Sequence, residues 1–173
     1  MRLYGVTGWK NSGKTGLMER LVADITGRGF SVSTVKHAHH DAEIDQPGRD
    51  SHRHRIAGAQ EVLLASGSRW ALMHELRGAA EPPLHDLLRR LSPVDLVLVE
   101  GYKRAAHRKI EAHRAATGAA LIADRDDTVR AVASDALRAL DRPEIEPPGF
   151  DRPVFDLNDT AAIADFILTE VGL

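Results

Sequence analysis

Residues Gly8-Trp9-Lys10-Asn11-Ser12-Gly13-Lys14-Thr15 satisfy every fixed position of the phosphate-loop pattern G-x-x-x-x-G-K-[ST]. The spacing has a chemical reason. Gly8 and Gly13 let the backbone curl so that successive N–H groups point inward at phosphate oxygens, where a Cβ would crowd the anion. Lys14 adds a mobile cation for the β- and γ-phosphates, and the Thr15 hydroxyl is placed to ligate Mg²⁺. The flanks agree with this reading. Arg2 to Thr7 is a short β-prone run that ends at the loop, and Leu17, Met18, Leu21, Val22 and Ile25 follow at helical spacing. Strand, loop and helix in that order place a helix N-terminus, with its free amides and favourable dipole, against the anion.

The 173 residues, 43% of them hydrophobic, fit one nucleotide-binding domain over 1–173 with a real core. A net charge of -2 argues against a general nucleic-acid binder, which is usually strongly basic. With no cysteine there is no disulfide, thiolate metal site or thiol nucleophile. Met1 leads into a strand without a signal peptide or a long apolar segment, so a cytoplasmic protein that does not engage a membrane is expected.

Downstream, Phe30 to Lys36 reads as a second strand, and strand-helix-strand implies a right-handed crossover and a parallel sheet. The loop Lys36-His37-Ala38-His39-His40-Asp41 should then face the same crevice as the phosphate loop, because ligands collect beyond the carboxyl ends of such strands. Asp50 to Ala59 reads as a short cationic helix. Glu61 to Ala65 and Arg69 to Met73 read as an antiparallel hairpin turned at Ser66-Gly67-Ser68, and Pro82-Pro83 opens a helix through Leu91. Pro93-Val94-Asp95-Leu96-Val97-Leu98-Val99-Glu100-Gly101 is the second strong signal: a buried central strand that delivers an acid to the ligand edge, as a Walker-B element does. Gly101 follows, with its backbone N–H expected near a γ-phosphate. Lys109 to His113, Ala119 to Ala123 and Thr128 to Ala133 are further candidate strands. The segment from Pro143 to Pro153 reads as a loop, Val154 to Leu157 as a last strand, and Asn158 or Asp159 as the cap of a final helix ending near Val171.

The ordered set GWKNSGKT, KHAHHD, RWALM and LVLVEGYK, with AVASD (131–135) and DLND (156–159), resembles the MobB family of molybdopterin-guanine dinucleotide biosynthesis proteins over nearly the whole chain. The resemblance implies a three-layer αβα, P-loop NTPase-like domain with a mostly parallel sheet and an added β-hairpin. It also implies GTP binding with weak, Mg²⁺-dependent hydrolysis, a homodimer, and a supporting role beside the guanylyltransferase that attaches GMP to molybdopterin. Two features differ from standard GTPases, and a third from deviant Walker-A proteins. There is no Asn-Lys-x-Asp guanine motif, so Asp135 is the candidate base reader, with a surface cap as its other reading. There is no Asp-x-x-Gly switch, its place being taken by Glu100-Gly101. The additional lysine of deviant Walker-A loops is replaced by Trp9.

The expected nucleotide contacts are therefore Gly8, Trp9, Lys10, Asn11, Ser12, Gly13, Lys14, Thr15, Lys36, His37, Gly101 and Asp135. Thr15, Asp41 and Glu100 are the expected Mg²⁺ residues, and Lys14 and Glu100 carry any catalysis. Three functions compete. In the first, a GTP-binding accessory protein, Lys36, His37, His39, His40, Arg49, Arg53 and Arg55 form a cationic crevice able to hold the phosphate of molybdopterin. The second is a metallochaperone GTPase that binds nickel or zinc through His37, His39 and His40. The third is a small-metabolite kinase, with Arg53 or Arg55 on the transferred group and Asp41 or Glu100 as base.

Overall fold

In the computed structural model, residues 1–38, 44–136 and 152–173 are described. The chain divides into two compact units, residues 1–37 with 91–173, and residues 38–90. The first unit is built on a six-stranded sheet of β1 (Arg2–Thr7), β2 (Val32–Lys36), β5 (Leu96–Glu100), β6 (Lys109–His113), β7 (Val129–Ser134) and β8 (Val154–Asp156). The strand order is β2-β5-β1-β6-β7-β8, and every pairing is parallel. The expected α/β class and parallel sheet are thus present.

Alternation along the strands sorts the two faces. Tyr4, Val6, Leu96, Leu98, Ile110, Ala112, Ala131 and Ala133 point to one side, where they meet Leu17, Leu21 and Ile25 of α1 (Lys14–Gly27) and Ile163, Ile167 and Leu168 of the C-terminal helix Thr160–Val171. Both helices present apolar residues at helical spacing and pack against one another over this face. Asp159 caps the C-terminal helix, its carboxylate accepting from the Ala162 amide at 3.1 Å, and Gly172 closes it at φ 71°.

On the opposite face, β6 carries Lys109 and Glu111, both fully buried. The Lys109 ammonium donates to the carbonyls of Ala105 (2.7 Å) and Lys103 (3.1 Å), to the Thr128 hydroxyl (2.7 Å) and to Asp126 (3.2 Å). Glu111 accepts from the amides of Ile122 (3.0 Å) and Ala123 (2.9 Å). Ala119 to Ala123 is consequently not a strand, because a carboxylate takes the amides that a ladder would need. Burial raises the Glu111 carboxyl above its usual range, against these two bonds and nearby charge.

The second unit contains α2 (Asp50–Ile56), the antiparallel pair β3 (Glu61–Ala65) and β4 (Trp70–His74), and α3 (Leu84–Leu88). The hairpin expected from the sequence is present as a two-stranded sheet of its own, with the Ser66 amide donating to the Arg69 carbonyl across the turn. The helix opened by Pro82-Pro83 is shorter than expected, ending at Leu88, with Pro83 as its N-cap. With the preceding α3 in place, the C-terminal helix Thr160–Val171 is α4. Among the described residues no helix is long and apolar enough to cross a membrane. Most of the expected proline-rich loop, residues 143–151, lies outside the described residues.

Candidate functional site

Sheet growth changes side at β1: β2 and β5 lie on one flank, β6, β7 and β8 on the other. The loop after β1 opens at that reversal, where open α/β sheets bind ligands. Gly8, Asn11 and Gly13 hold φ values of 145°, 65° and 92°. A Cβ on Gly8 would stand 2.4 Å from the Ala112 carbonyl oxygen and 2.5 Å from Ser12 Oγ. The loop is therefore packed directly on β6, and only glycine fits. A Cβ on Gly13 would stand 3.0 Å from Arg114 Nε and 3.2 Å from Leu157 Cδ2. Asn11, with Asn tolerant of positive φ, completes the curl. Asn11 to Gly16 line a cavity of about 350 Å³. The Ser12 hydroxyl is buried beside it and has no hydrogen-bond partner among the described residues, as expected where an acceptor or donor is supplied by a ligand.

Lys14 folds back over the loop, its ammonium donating to the Trp9 carbonyl at 2.6 Å. Burial, then the neighbouring Lys103 and Lys36, lower its proton affinity, with Glu100 acting in the opposite sense. Trp9 is fixed by its indole N–H, which donates to the Ala120 carbonyl at 2.8 Å, and the Lys103 ammonium lies 4.1 Å from its ring centroid. Lys10 is exposed at the loop tip.

On the β5 flank, Glu100 is nearly buried at the strand end. The Thr15 hydroxyl donates to its Oε1 at 3.1 Å, and the Lys36 ammonium is 3.5 Å from the same oxygen. An alcohol and a carboxylate at a phosphate loop form an all-oxygen donor set, which fits Mg²⁺ with water completing its shell. A second cavity of about 440 Å³ runs from this cluster between α1 and β2, lined by Thr15, Met18, Val22, Val35, Lys36 and Glu100 among others.

His37 sits beside Gly101 and Tyr102: its amide donates to the Glu100 carbonyl at 3.0 Å, and its ring lies 4.6 Å from that of Tyr102. The Gly101 N–H, expected to reach a phosphate, instead donates to the Val6 carbonyl at 3.1 Å, because Gly101 continues the β5 ladder at φ 94°. On the other flank, Asp135 follows β7 and is exposed. One of its oxygens accepts from the Ala115 amide at 2.9 Å, which ties the turn after β6 to the end of β7. His39, His40 and Asp41 lie outside the described residues.

The geometry thus gathers Gly8 to Thr15, Lys36, His37, Glu100 and Gly101 around one loop, together with Lys103, the last residue of LVLVEGYK, and Arg114, which the motifs did not single out. Lys103 follows Glu100-Gly101 by two positions. Arg114 follows β6 and lies against Gly13, with no side-chain hydrogen bond to the described residues. The signal for Arg114 was its place one residue past a strand end beside the phosphate loop.

The family model for Molybdopterin guanine dinucleotide synthesis protein B matches residues 3–135. The chain is 37% identical to the molybdopterin-guanine dinucleotide biosynthesis adapter protein of Escherichia coli, over 96% of this chain and 91% of that one. It is 38% identical to the protein of that name from Haemophilus influenzae, over 95% and 86%. Its fold is similar to the crystal structure of a MobB homologue from Bacillus stearothermophilus, with a TM-score of 0.69 at 28% identity over 99% of both chains. It also superposes on Bacillus subtilis MobB with a TM-score of 0.73 at 22% identity, over 99% and 98% of the chains, a likeness of fold. A phosphate loop backed by a buried acidic strand, in a chain matched by that family model over 3–135, makes this a member of the MobB family.

Proposed function

We propose that this protein is a GTP-binding adapter of molybdopterin guanine dinucleotide biosynthesis, acting beside the guanylyltransferase of that pathway. The observation that carries the nucleotide reading is the loop itself: Gly8 and Gly13 are at positive φ, Gly8 with no room for a Cβ, and a buried Ser12 hydroxyl and the Thr15–Glu100 pair sit beside it. Gly8 to Thr15 would cradle the phosphates, with Lys14 on the β- and γ-oxygens and Lys36 balancing Glu100. Thr15 and Glu100 would hold Mg²⁺, which when bound neutralises charge on the phosphate chain. The Asp135 carboxylate would accept from the N1–H and exocyclic amine of guanine.

No described side chain is placed to activate water, so slow hydrolysis is the reading for the isolated protein. The domain is read as acting as a homodimer, supported by the exposed apolar cross-strand pairs of the hairpin: Leu63 opposite Leu72, and Ala65 opposite Trp70. The adapter name of the relatives favours this function over a metallochaperone or a kinase. Competition binding of GTP against ATP, with and without Mg²⁺, tests it: GTP should win by at least tenfold, and Asp135→Ala should erase that preference while leaving ATP binding unchanged. Equal affinity for the two purines in the parent protein overturns the guanine assignment.

A further inference from the structure

The phosphate loop has Trp9 where some related loops carry a second lysine, yet a second lysine stands over that tryptophan. We propose that Lys103 is the residue that distinguishes a nucleoside triphosphate from a diphosphate, moving its ammonium from the Trp9 indole onto the terminal phosphate. The assignment rests on the nucleotide reading given above and adds a residue and a selectivity to it.

Both sides of the Lys103–Trp9 contact are anchored. The indole is held by its bond to the Ala120 carbonyl at 2.8 Å, and the Lys103 carbonyl is held at 3.1 Å by the fully buried Lys109 ammonium. Only the Lys103 side chain is left to move. Its ammonium lies 4.1 Å from the ring centroid and has no carboxylate within ion-pair distance among the described residues. Lys14 is in the same position, its ammonium resting on the neutral carbonyl of the same Trp9 at 2.6 Å.

Around the loop, then, Lys14, Lys36 and Lys103 face a single nearby carboxylate among the described residues, Glu100, which Lys36 already approaches at 3.5 Å. Lys103 and Lys36 both disfavour the charged form of Lys14, an imbalance that Glu100, which acts in the opposite sense, does not remove. An incoming phosphate removes that imbalance. A partly exposed cation–π contact is weak, whereas an ammonium-to-phosphate hydrogen bond is charge-assisted and short, so the transfer runs toward the phosphate. Lys14 belongs to the loop and serves di- and triphosphates alike. Lys103 enters from the segment that follows Glu100, the acid read as a metal ligand, and a third phosphate is the group that distinguishes the two ligands.

The test uses the full chain carrying Trp70→Phe, which leaves Trp9 as the sole tryptophan of the two. GTP and GDP are titrated with Mg²⁺ by calorimetry and by indole emission, in that parent and with Lys103→Gln or Lys103→Arg added. Lys103→Gln should weaken GTP about tenfold and GDP less than twofold, with Lys103→Arg recovering most of the difference. Trp9 emission should change on adding GTP but not GDP, and the change should vanish in Lys103→Gln. An unaltered GTP-to-GDP affinity ratio in Lys103→Gln overturns the assignment alone, since a lysine that merely packs on Trp9 would shift both nucleotides equally. Binding of neither nucleotide by the parent overturns the underlying site and this assignment together.

Discussion

Replacing Lys109 by Met tests whether the face of the sheet opposite α1 and α4 is held by one buried ammonium. Met keeps the length and apolar stem of the side chain, so the change removes charge and hydrogen bonds with little change in volume. Four acceptors lose their donor: the carbonyls of Ala105 and Lys103, the Thr128 hydroxyl and Asp126. Breaking a buried pair from one side costs about 3–5 kcal/mol. The Asp126 side chain is 23% exposed and retains the Thr128 amide at 2.9 Å, so water and that bond offset part of the loss. The expected destabilisation is about 3 kcal/mol, a large share of the roughly 5–15 kcal/mol that holds a domain together. Urea unfolding followed by Trp9 emission in a Trp70→Phe background reads it as a midpoint shift of roughly 1–3 M. The acid limb gives an independent readout. Burial pushes Asp126 up, but Thr128 and Lys109 more than reverse this and hold its carboxyl below the ordinary range. Its contribution is therefore present above the ordinary carboxylate range and lost as pH falls through the lower folded value, and Lys109→Met should make that loss shallower. A destabilisation under about 1 kcal/mol with an unchanged acid limb would refute the argument that Lys109 ties these segments together.

Gly8→Ala should abolish nucleotide binding and destabilise on the order of 3 kcal/mol, because its methyl meets a β6 carbonyl at 2.4 Å; an unchanged thermal midpoint would contradict the packing described. Lys14→Ala should remove measurable nucleotide affinity while shifting stability by less than about 1 kcal/mol, since among the described residues its ammonium bonds only to a loop carbonyl; unfolding curves and calorimetry separate the two effects. His107 packs on Gly5 with neither ring nitrogen bonded among the described residues, and burial, then Lys109, push its imidazole down to about 4 against the pull of Asp126. The neutral ring is favoured in the fold, so this contribution is present above the ordinary histidine value and is lost as pH falls toward 4. His107→Gln should flatten stability between about pH 6.5 and 4, and an imidazole resonance assigned to His107 that titrates near 6.5 would sink the reading.

The chemistry of the loop was legible because its constraints are local. Gly8 and Gly13 need particular backbone angles and Lys14 and Thr15 follow at fixed spacing, so the proposed site is written in eight consecutive residues. The Walker-B strand was equally plain, its four apolar residues and acid needing burial on both faces. The failures have a common cause in long-range side-chain bonding. Ala119 to Ala123 has the composition of a strand, but the Glu111 carboxylate claims two of its amides from 11 and 12 residues away. Lys109 and Glu111 alternate with apolar neighbours as a solvent-facing strand would, and nothing in that alternation shows that each is buried against loops carrying matching groups. Gly101 follows Glu100 at the end of β5, yet its N–H is used by β1.

The two flanks of the phosphate loop are chemically unlike, and that difference gives the proposed nucleotide a direction. On the side of β2 and β5 stand Glu100, Lys36 and Lys103, the charged groups that suit a metal and a terminal phosphate. On the side of β6, β7 and β8, Gly13 is bordered by Arg114 and Leu157, and Asp135 follows β7 with one oxygen bonded to the Ala115 amide. An apolar side chain and a carboxylate acceptor suit a purine ring, and a guanidinium can stack on one. The nucleotide would then cross the loop with its base toward β7 and its last phosphate toward the 101–105 segment. That segment is the part held from beneath by Lys109, through Lys103 and Ala105. A substitution at Lys109 should consequently reach the terminal-phosphate end of the ligand before the base end, weakening GTP more than GDP while leaving the preference for guanine intact. If Lys109→Met instead removed the guanine preference and spared the GTP-to-GDP ratio, the proposed direction across the loop would have to be reversed.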